Sequence, residues 1–306
     1  MGFSGSKLIS ADSLSRLQIL GAAVLFSTGG IAIKASSLSG FEVAGTRSAI
    51  AAITLWILLP TWRRFWRPRV LLVGACYAST FVCFVIATKY TMSANAIFLQ
   101  STSPIYVLLL APRLLREENR PSDYAVLLML MVGLGLFFVE VDPATSTAPN
   151  PVLGNWVAIA AGVSLALGLM GLRWLGRDGL VDGEDQSGAA ALAGNVLAAF
   201  VCLPFMRFTS DLHETDLLLI VYLGAIQIGL AYWILTRGIR RVPAVEVSLL
   251  LLAEPVLNAI WAWSLLGEQP GFWSLVGCTL ILSATGWRAL ARKGNPAAER
   301  PSDDPG

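Results

Sequence analysis

The sequence predicts an all-α integral membrane protein whose ten transmembrane helices form two inverted five-helix repeats. Three observations predict it. The 306 residues are 55% hydrophobic and only 14% charged, with a mean hydropathy of +0.66, whereas soluble domains are roughly 25% charged. Apolar runs of about 20 residues, each long enough to cross a ~30 Å hydrocarbon core as a helix, recur from end to end. The plan of residues 90–121 also returns, without gaps, in residues 241–270. Adding 151 to a position carries Pro104 onto Pro255, Leu115 onto Leu266, Glu117 onto Glu268, Lys89 onto Arg240 and Gly135 onto Gly286. Such periodic self-similarity marks a duplicated architecture.

The first repeat, residues 17–141, is expected to hold spans at 17–35, 41–60, 70–88, 93–112 and 122–141. The Pro-rich linker 142–151 (DPATSTAPNP) separates it from the second repeat, residues 152–290. There the expected spans are 152–174, 187–206, 216–236, 243–265 and 270–290, with an acidic, Gly-rich loop at 175–186. Residues 1–16 and 292–306 are polar and carry Pro, Gly and Ser, the composition of disordered tails. Ala22-Ala23 mimics a signal-cleavage site, but nine similar runs follow, so the first run is expected to stay as a span. Trp62, Trp66, Trp273 and Trp287 fall near span ends, where indole rings anchor at the interface. Ala158-Gly162-Ala166 and Ala190-Gly194-Ala198 place small residues on one helix face and permit close packing.

Orientation follows from the cationic residues. With the N-terminus in the cytoplasm, the loops on that side hold every Lys and Arg except Lys34, Lys89 and Arg207, which face out, and Arg47, which lies within the second span. Both termini are then cytoplasmic. Each half has an odd number of spans, so the second must start on the opposite side: Lys89 faces out while its partner Arg240 faces in. Inverted repeats of this kind let one scaffold open alternately to either side.

These residues resemble a known family. Two five-span halves, each with a fourth span that carries a central proline and ends in Leu115-Arg116-Glu117 or Leu266-Gly267-Glu268, are similar to the EamA-type domains of the drug/metabolite transporter superfamily. The second-span segment Phe41-Glu42-Val43-Ala44-Gly45-Thr46-Arg47 also resembles that family. Length and aromatic-rich spans are most similar to the bacterial aromatic amino-acid exporters. The resemblance implies export of amino acids or related metabolites across the inner membrane by alternating access, with no cofactor.

Pro104 and Pro255 each deprive a carbonyl four residues back of its helical partner, at Gln100 and Leu251. In a bilayer such carbonyls must be satisfied by neighbouring helices, water or ligand, and paired broken spans point to a central binding site. Glu254 lies near mid-membrane, where an acid costs several kcal/mol unless paired, hydrated or protonated. It is a candidate to take a proton as coupling ion or to attract an ammonium group; equally, it could cap the broken turn. The other candidates to line a substrate cavity are Thr28, Tyr77, Phe81, Phe98, Gln100, Ser101, Gln227, Tyr232, Trp233, Ser248 and Asn258. Tyr77 and Phe81 share a helix face, as do Glu254 and Asn258. The resemblance favours Tyr77, Phe81, Phe98 and Gln100. Arg47 is expected to snorkel or pair near the outer end of its span, with Glu42 as partner, and Lys34 to do likewise. Glu117 and Glu268 are expected to hold turns between helices.

The expected partners are a small-molecule substrate and the lipid bilayer, not nucleic acid, because the basic residues lie between spans rather than in one patch. The chain is expected to act as a monomer or weak dimer. Cys76, Cys83, Cys202 and Cys278 lie inside apolar runs without metal-ligand or disulfide spacing. With one histidine, His213 in a polar loop, and no H-E-x-x-H, G-x-S-x-G or Walker A sequence, neither enzyme nor ATPase chemistry is expected. Competing readings are a nucleotide-sugar or sugar-phosphate exchanger, which calls for a cationic cavity, and a passive metabolite channel.

Overall fold

A computed structural model describes residues 11–59, 66–114, 121–139, 144–177, 183–207, 213–238, 242, 247 and 250–293. Trp62, Leu115, Glu117, Arg240 and Ser248 lie outside these residues. Every regular element among the described residues is helical. In chain order they are α1 (Ala11–Ser27), α2 (Gly29–Ala35), α3 (Gly40–Leu58), α4 (Pro68–Tyr90), α5 (Ser93–Gln100), α6 (Ser103–Leu114), α7 (Pro121–Leu136), α8 (Pro151–Arg177) and α9 (Gly183–Cys202). After a 3₁₀ turn at Leu203–Phe205 come α10 (Glu214–Val221), a π-helical segment (Tyr222–Leu230), α11 (Ala231–Gly238), α12 (Ala253–Leu266) and α13 (Phe272–Lys293).

Seven of the described helices, counting bent ones once, are long and apolar enough to cross a membrane: Ser13–Ala35, Gly40–Leu58, Pro68–Tyr90, Ser93–Leu114, Pro151–Leu172, Gly188–Phe205 and Glu214–Leu235. They fall on the expected first to fourth and sixth to eighth spans. The fifth and tenth are shorter apolar helices, Asp123–Leu136 and Phe272–Trp287, and the ninth is described as α12. The boundaries have local causes. Ser39 and Glu42 form a reciprocal capping box at the start of α3. Pro68 opens α4, where its missing N–H costs nothing. Gly267, at φ 66° in the left-handed region, ends α12.

α4 packs against α8 and α9, and α3 against α9 and the π segment. α11 packs on α1, α12 on α1 and α5, and α13 on α7. In the numbering of the expected spans, the third packs on the sixth and the eighth on the first, while second and seventh, fourth and ninth, and fifth and tenth pair with each other. The interior divides into apolar clusters, one around Phe98, Leu130, Phe137 and Ile281, another around Leu55, Tyr77, Phe81 and Leu192, a third around Ile33, Val43, Val85 and Leu223. Ile57, Leu72, Leu128, Leu218 and Leu265 are exposed, as befits a surface facing lipid. Trp66, Trp273 and Trp287 are also exposed near helix ends. All four cysteines are free.

Candidate functional site

Three broken helices meet inside the bundle. The fourth span breaks at Ser101-Thr102, just before Pro104, and the ninth turns at Leu252, just before Pro255. Both breaks lie where the prolines forbid a continuous ladder. The third break was not expected: the first span is interrupted at Thr28. Its carbonyls are taken by distant amides. Gln227 Nε2 donates to Phe26 O at 3.2 Å, and Asn258 Nδ2 to Ser27 O at 3.1 Å. Thr28 Oγ1 bonds Leu25 O and lies 2.7 Å from the Tyr222 hydroxyl. Glycine permits this approach. A Cβ on Gly29 would stand 2.7 Å from Gln227 Nε2, and one on Gly30 only 1.9 Å from Ser93 Oγ. The π segment, which begins at Tyr222 and includes Gln227, delivers two of these partners; π turns are rare and often lie at functional sites.

On one side of these breaks lies an aromatic and charged centre. Tyr77 and Phe81 on α4 stack at a tilt, with ring centroids 6.0 Å apart, and Phe26 meets Tyr232 edge-on at 5.3 Å. Arg47 of α3 donates through Nη2 to the Phe81 carbonyl at 3.2 Å. Tyr232 has both Glu254 and Arg47 as electrostatic neighbours. Tyr232 and Glu254 are both half-buried. Gln100 Oε1, Gln227 Oε1, Ser48 Oγ and Arg47 Nε are buried without hydrogen-bond partners among the described residues. Buried polar atoms are rarely left so.

On the other side, towards the end of the bundle that carries Lys34, a polar chain runs from side chain to side chain and closes on an ion pair. Asn258 Oδ1 accepts from Ser93 Oγ at 2.9 Å, and Ser93 N donates to Glu268 Oε2 at 2.8 Å. Glu268 pairs with Lys34 at 2.5 Å, and both side chains are 2% exposed. Lys34 Nζ also donates to the Thr147 carbonyl. Trp261 Nε1 joins through Ser27 Oγ at 3.1 Å. Beside it, Asp216 accepts from Ser36 and Ser37, and Lys89 donates to Ser36 O at 2.7 Å.

The structure thus brings Thr28, Gln227 and Asn258 together at the first-span break, and Tyr77, Phe81, Tyr232 and Glu254 around the aromatic centre. Phe98 sits instead in the apolar cluster with Phe137 and Ile281. Ser101 Oγ turns back onto Ile97 O of its own helix. Trp233 lies under the Arg237 guanidinium, 3.7 Å from the ring centroid. One expectation is corrected. Arg47 does not snorkel: it is 2% exposed, because α3 is enclosed by α4, α9 and the π segment, and its guanidinium turns to the Phe81 carbonyl. Lys34, expected to snorkel or pair, pairs with Glu268, and Glu268 also accepts from Ser93 N at the start of α5. Phe26, Ser27, Arg47, Ser93 and Trp261 were not among the expected site residues. The Thr28-Gly29-Gly30 run in mid-span was the one local signal for the first break, since sharp interruptions gather at such residues.

Comparison with known proteins adds the family. The EamA-like transporter family model matches residues 14–139 and again 152–287. The pseudopaline exporter CntI of Pseudomonas aeruginosa is 26% identical over 268 residues, covering 85% of this chain and 89% of the exporter. The uncharacterized transporter YetK of Bacillus subtilis is 21% identical over 227 residues, covering 71% of this chain and 67% of that protein. A solved crystal structure shares the fold with a TM-score of 0.61 at 20% identity, covering 92% of this chain and 99% of its own.

Proposed function

The chain belongs to the EamA-like transporter family, and from that premise we propose that this membrane transporter exports amino acids with aromatic or other apolar side chains, and related small metabolites, across the bacterial inner membrane. Transport proceeds by alternating access between two inverted five-helix repeats, an arrangement supported by the 151-residue displacement that superposes Pro104 on Pro255 and by helix packing that survives exchange of the halves. The observation that carries the substrate reading is the gathering of the Tyr77–Phe81 and Phe26–Tyr232 ring pairs, with Glu254 as an electrostatic neighbour of Tyr232. An apolar wall with a few placed polar groups is how small-molecule sites are built. Arg47 is the one buried cation at that centre among the described residues, fewer than a doubly charged sugar phosphate calls for.

The test is counterflow. Purified protein in liposomes preloaded with unlabelled amino acids is expected to take up labelled L-phenylalanine, tryptophan or leucine with saturation in concentration. Linear flux without trans-stimulation would move the protein to the channel class. The likeness to an exporter named for pseudopaline favours one further competitor, pseudopaline itself. Competition by pseudopaline and by no amino acid would overturn the amino-acid reading while keeping the transporter.

A further inference from the structure

Resting on that reading, we propose that Arg47 and Glu254 are the two ends of one zwitterion site, in which Arg47 receives the substrate carboxylate and Glu254 its ammonium group. Arg47 stands near the middle of α3, enclosed on three sides, with a single hydrogen bond from Nη2 to Phe81 O and its Nε–H unpartnered among the described residues. A buried guanidinium costs several kcal/mol unless an anion and further acceptors meet it. Arg presents parallel N–H bonds that match a carboxylate. Glu254 occupies the first turn of α12, one turn before Asn258 on the same face. Asn258 is bonded to Ser27 O and Ser93, so Glu254 is held against the same side of the first span. Its side chain is half-buried. No ion pair joins Arg47 to Glu254 among the described residues, although Tyr232 neighbours both.

Two opposite charges that both neighbour Tyr232 and are not paired with each other suit a ligand that carries the complementary pair. The Tyr77–Phe81 and Phe26–Tyr232 rings then face the substrate side chain. The alternative is that Arg47 only ties α3 to α4 and Glu254 only finishes the broken turn.

Analogues that lack one charge or the other separate these two cases. Counterflow of labelled L-phenylalanine by the full-length protein is competed with L-phenylalanine, with 2-phenylethylamine, which lacks the carboxylate, and with 3-phenylpropionate, which lacks the ammonium group. Each analogue is expected to compete about tenfold or more weakly than the amino acid, the scale of a lost charge-assisted hydrogen bond. Arg47→Gln should narrow only the gap to 2-phenylethylamine, and Glu254→Gln only the gap to 3-phenylpropionate. Arg47→Lys should keep part of the first gap. Equal competition by all three compounds in the wild type overturns the two-ended site and leaves the exporter reading standing; so do variants that keep both gaps. If a variant fails to give monodisperse protein, the wild-type series decides alone. Absence of exchange with phenylalanine, and with a mixture of the proteinogenic amino acids, overturns the exporter reading and this site together.

Discussion

Two polar regions flank the helix breaks, and they are finished differently. At the Lys34 end, Glu268, Ser93 and Asn258 are all buried and joined to partners. Around Tyr232, by contrast, Arg47 Nε and Gln227 Oε1 lack hydrogen-bond partners among the described residues and Glu254 is only half-buried. Both regions sit in apolar surroundings where an unmade hydrogen bond costs about 1–3 kcal/mol. A region that meets that cost internally holds helices together. A region that leaves it unmet has groups to offer a ligand, and such sites trade stability for function. The same asymmetry separates the two halves of the duplicated segment. Pro104 and Pro255 are common to both, whereas Glu254 matches a neutral Ser103, and only the Glu254 copy contributes an acid to the unfinished region.

The largest expected effect is at the finished end. Glu268→Ala leaves Lys34 buried without its counter-charge and uncaps Ser93 N. Removing one partner of a buried ion pair costs about 3–5 kcal/mol, so the melting temperature in detergent should fall further than for any change at the centre. Lys34→Met combined with Glu268→Gln should recover part of the loss, because no lone charge then remains. A single variant as stable as wild type would show that the pair does not tie this end shut.

Gly30→Ala comes next. Its Cβ would overlap Ser93 Oγ and stand 2.8 Å from Asn258 Nδ2, so the chain that links the first-span break to Glu268 must shift. A cost of about 1–3 kcal/mol is expected from overpacking, together with loss of exchange. Retained stability and transport would mean that the first and ninth spans separate easily at this level.

At the unfinished centre the sign should reverse. Glu254→Gln removes an intramembrane carboxylate that has no ion pair among the described residues. Neutralising it is expected to raise thermal stability by about 1 kcal/mol while weakening exchange of amino acids. A fall in stability would place Glu254 among the structural groups that finish the broken turn.

Much of this scaffold was legible in the sequence, because long apolar runs and paired prolines are local signals with direct physical causes. Pro104 and Pro255 announced the breaks in α5–α6 and before α12. The first-span break left only a weak local signal. Thr28-Gly29-Gly30 looks like any small-residue packing face, and the amides that satisfy it, Gln227 and Asn258, lie about 200 positions away along the chain and matter only through tertiary packing. Arg47 was misplaced for a related reason. Position within a span measures depth in the membrane, but whether a long side chain reaches water depends on what surrounds its helix. Neighbouring helices surround α3.

The smallest effects test how closely the scaffold presses on the centre. Gly162 of α8 lies against the fourth-span break, where an added Cβ would come within 3.1 Å of Gln100 O and 3.2 Å of Leu99 O. Those oxygens are backbone, so the line of contact between α5 and α8 must yield by a few tenths of an ångström. Gly162→Ala is expected to cost about 1 kcal/mol and to raise the KM for exchange, since Gln100 moves with the break. Gly135, on α7, is the control. Nothing stands within 4 Å of its added Cβ, and Gly135→Ala should be neutral or stabilise by about 0.5–1 kcal/mol through the smaller entropy of the unfolded chain. Opposite signs would show that small residues on α8 are required by the broken helix they touch. If both changes cost stability alike, helical glycines in this bundle share one packing role, and the break at Gln100 holds no special place in it.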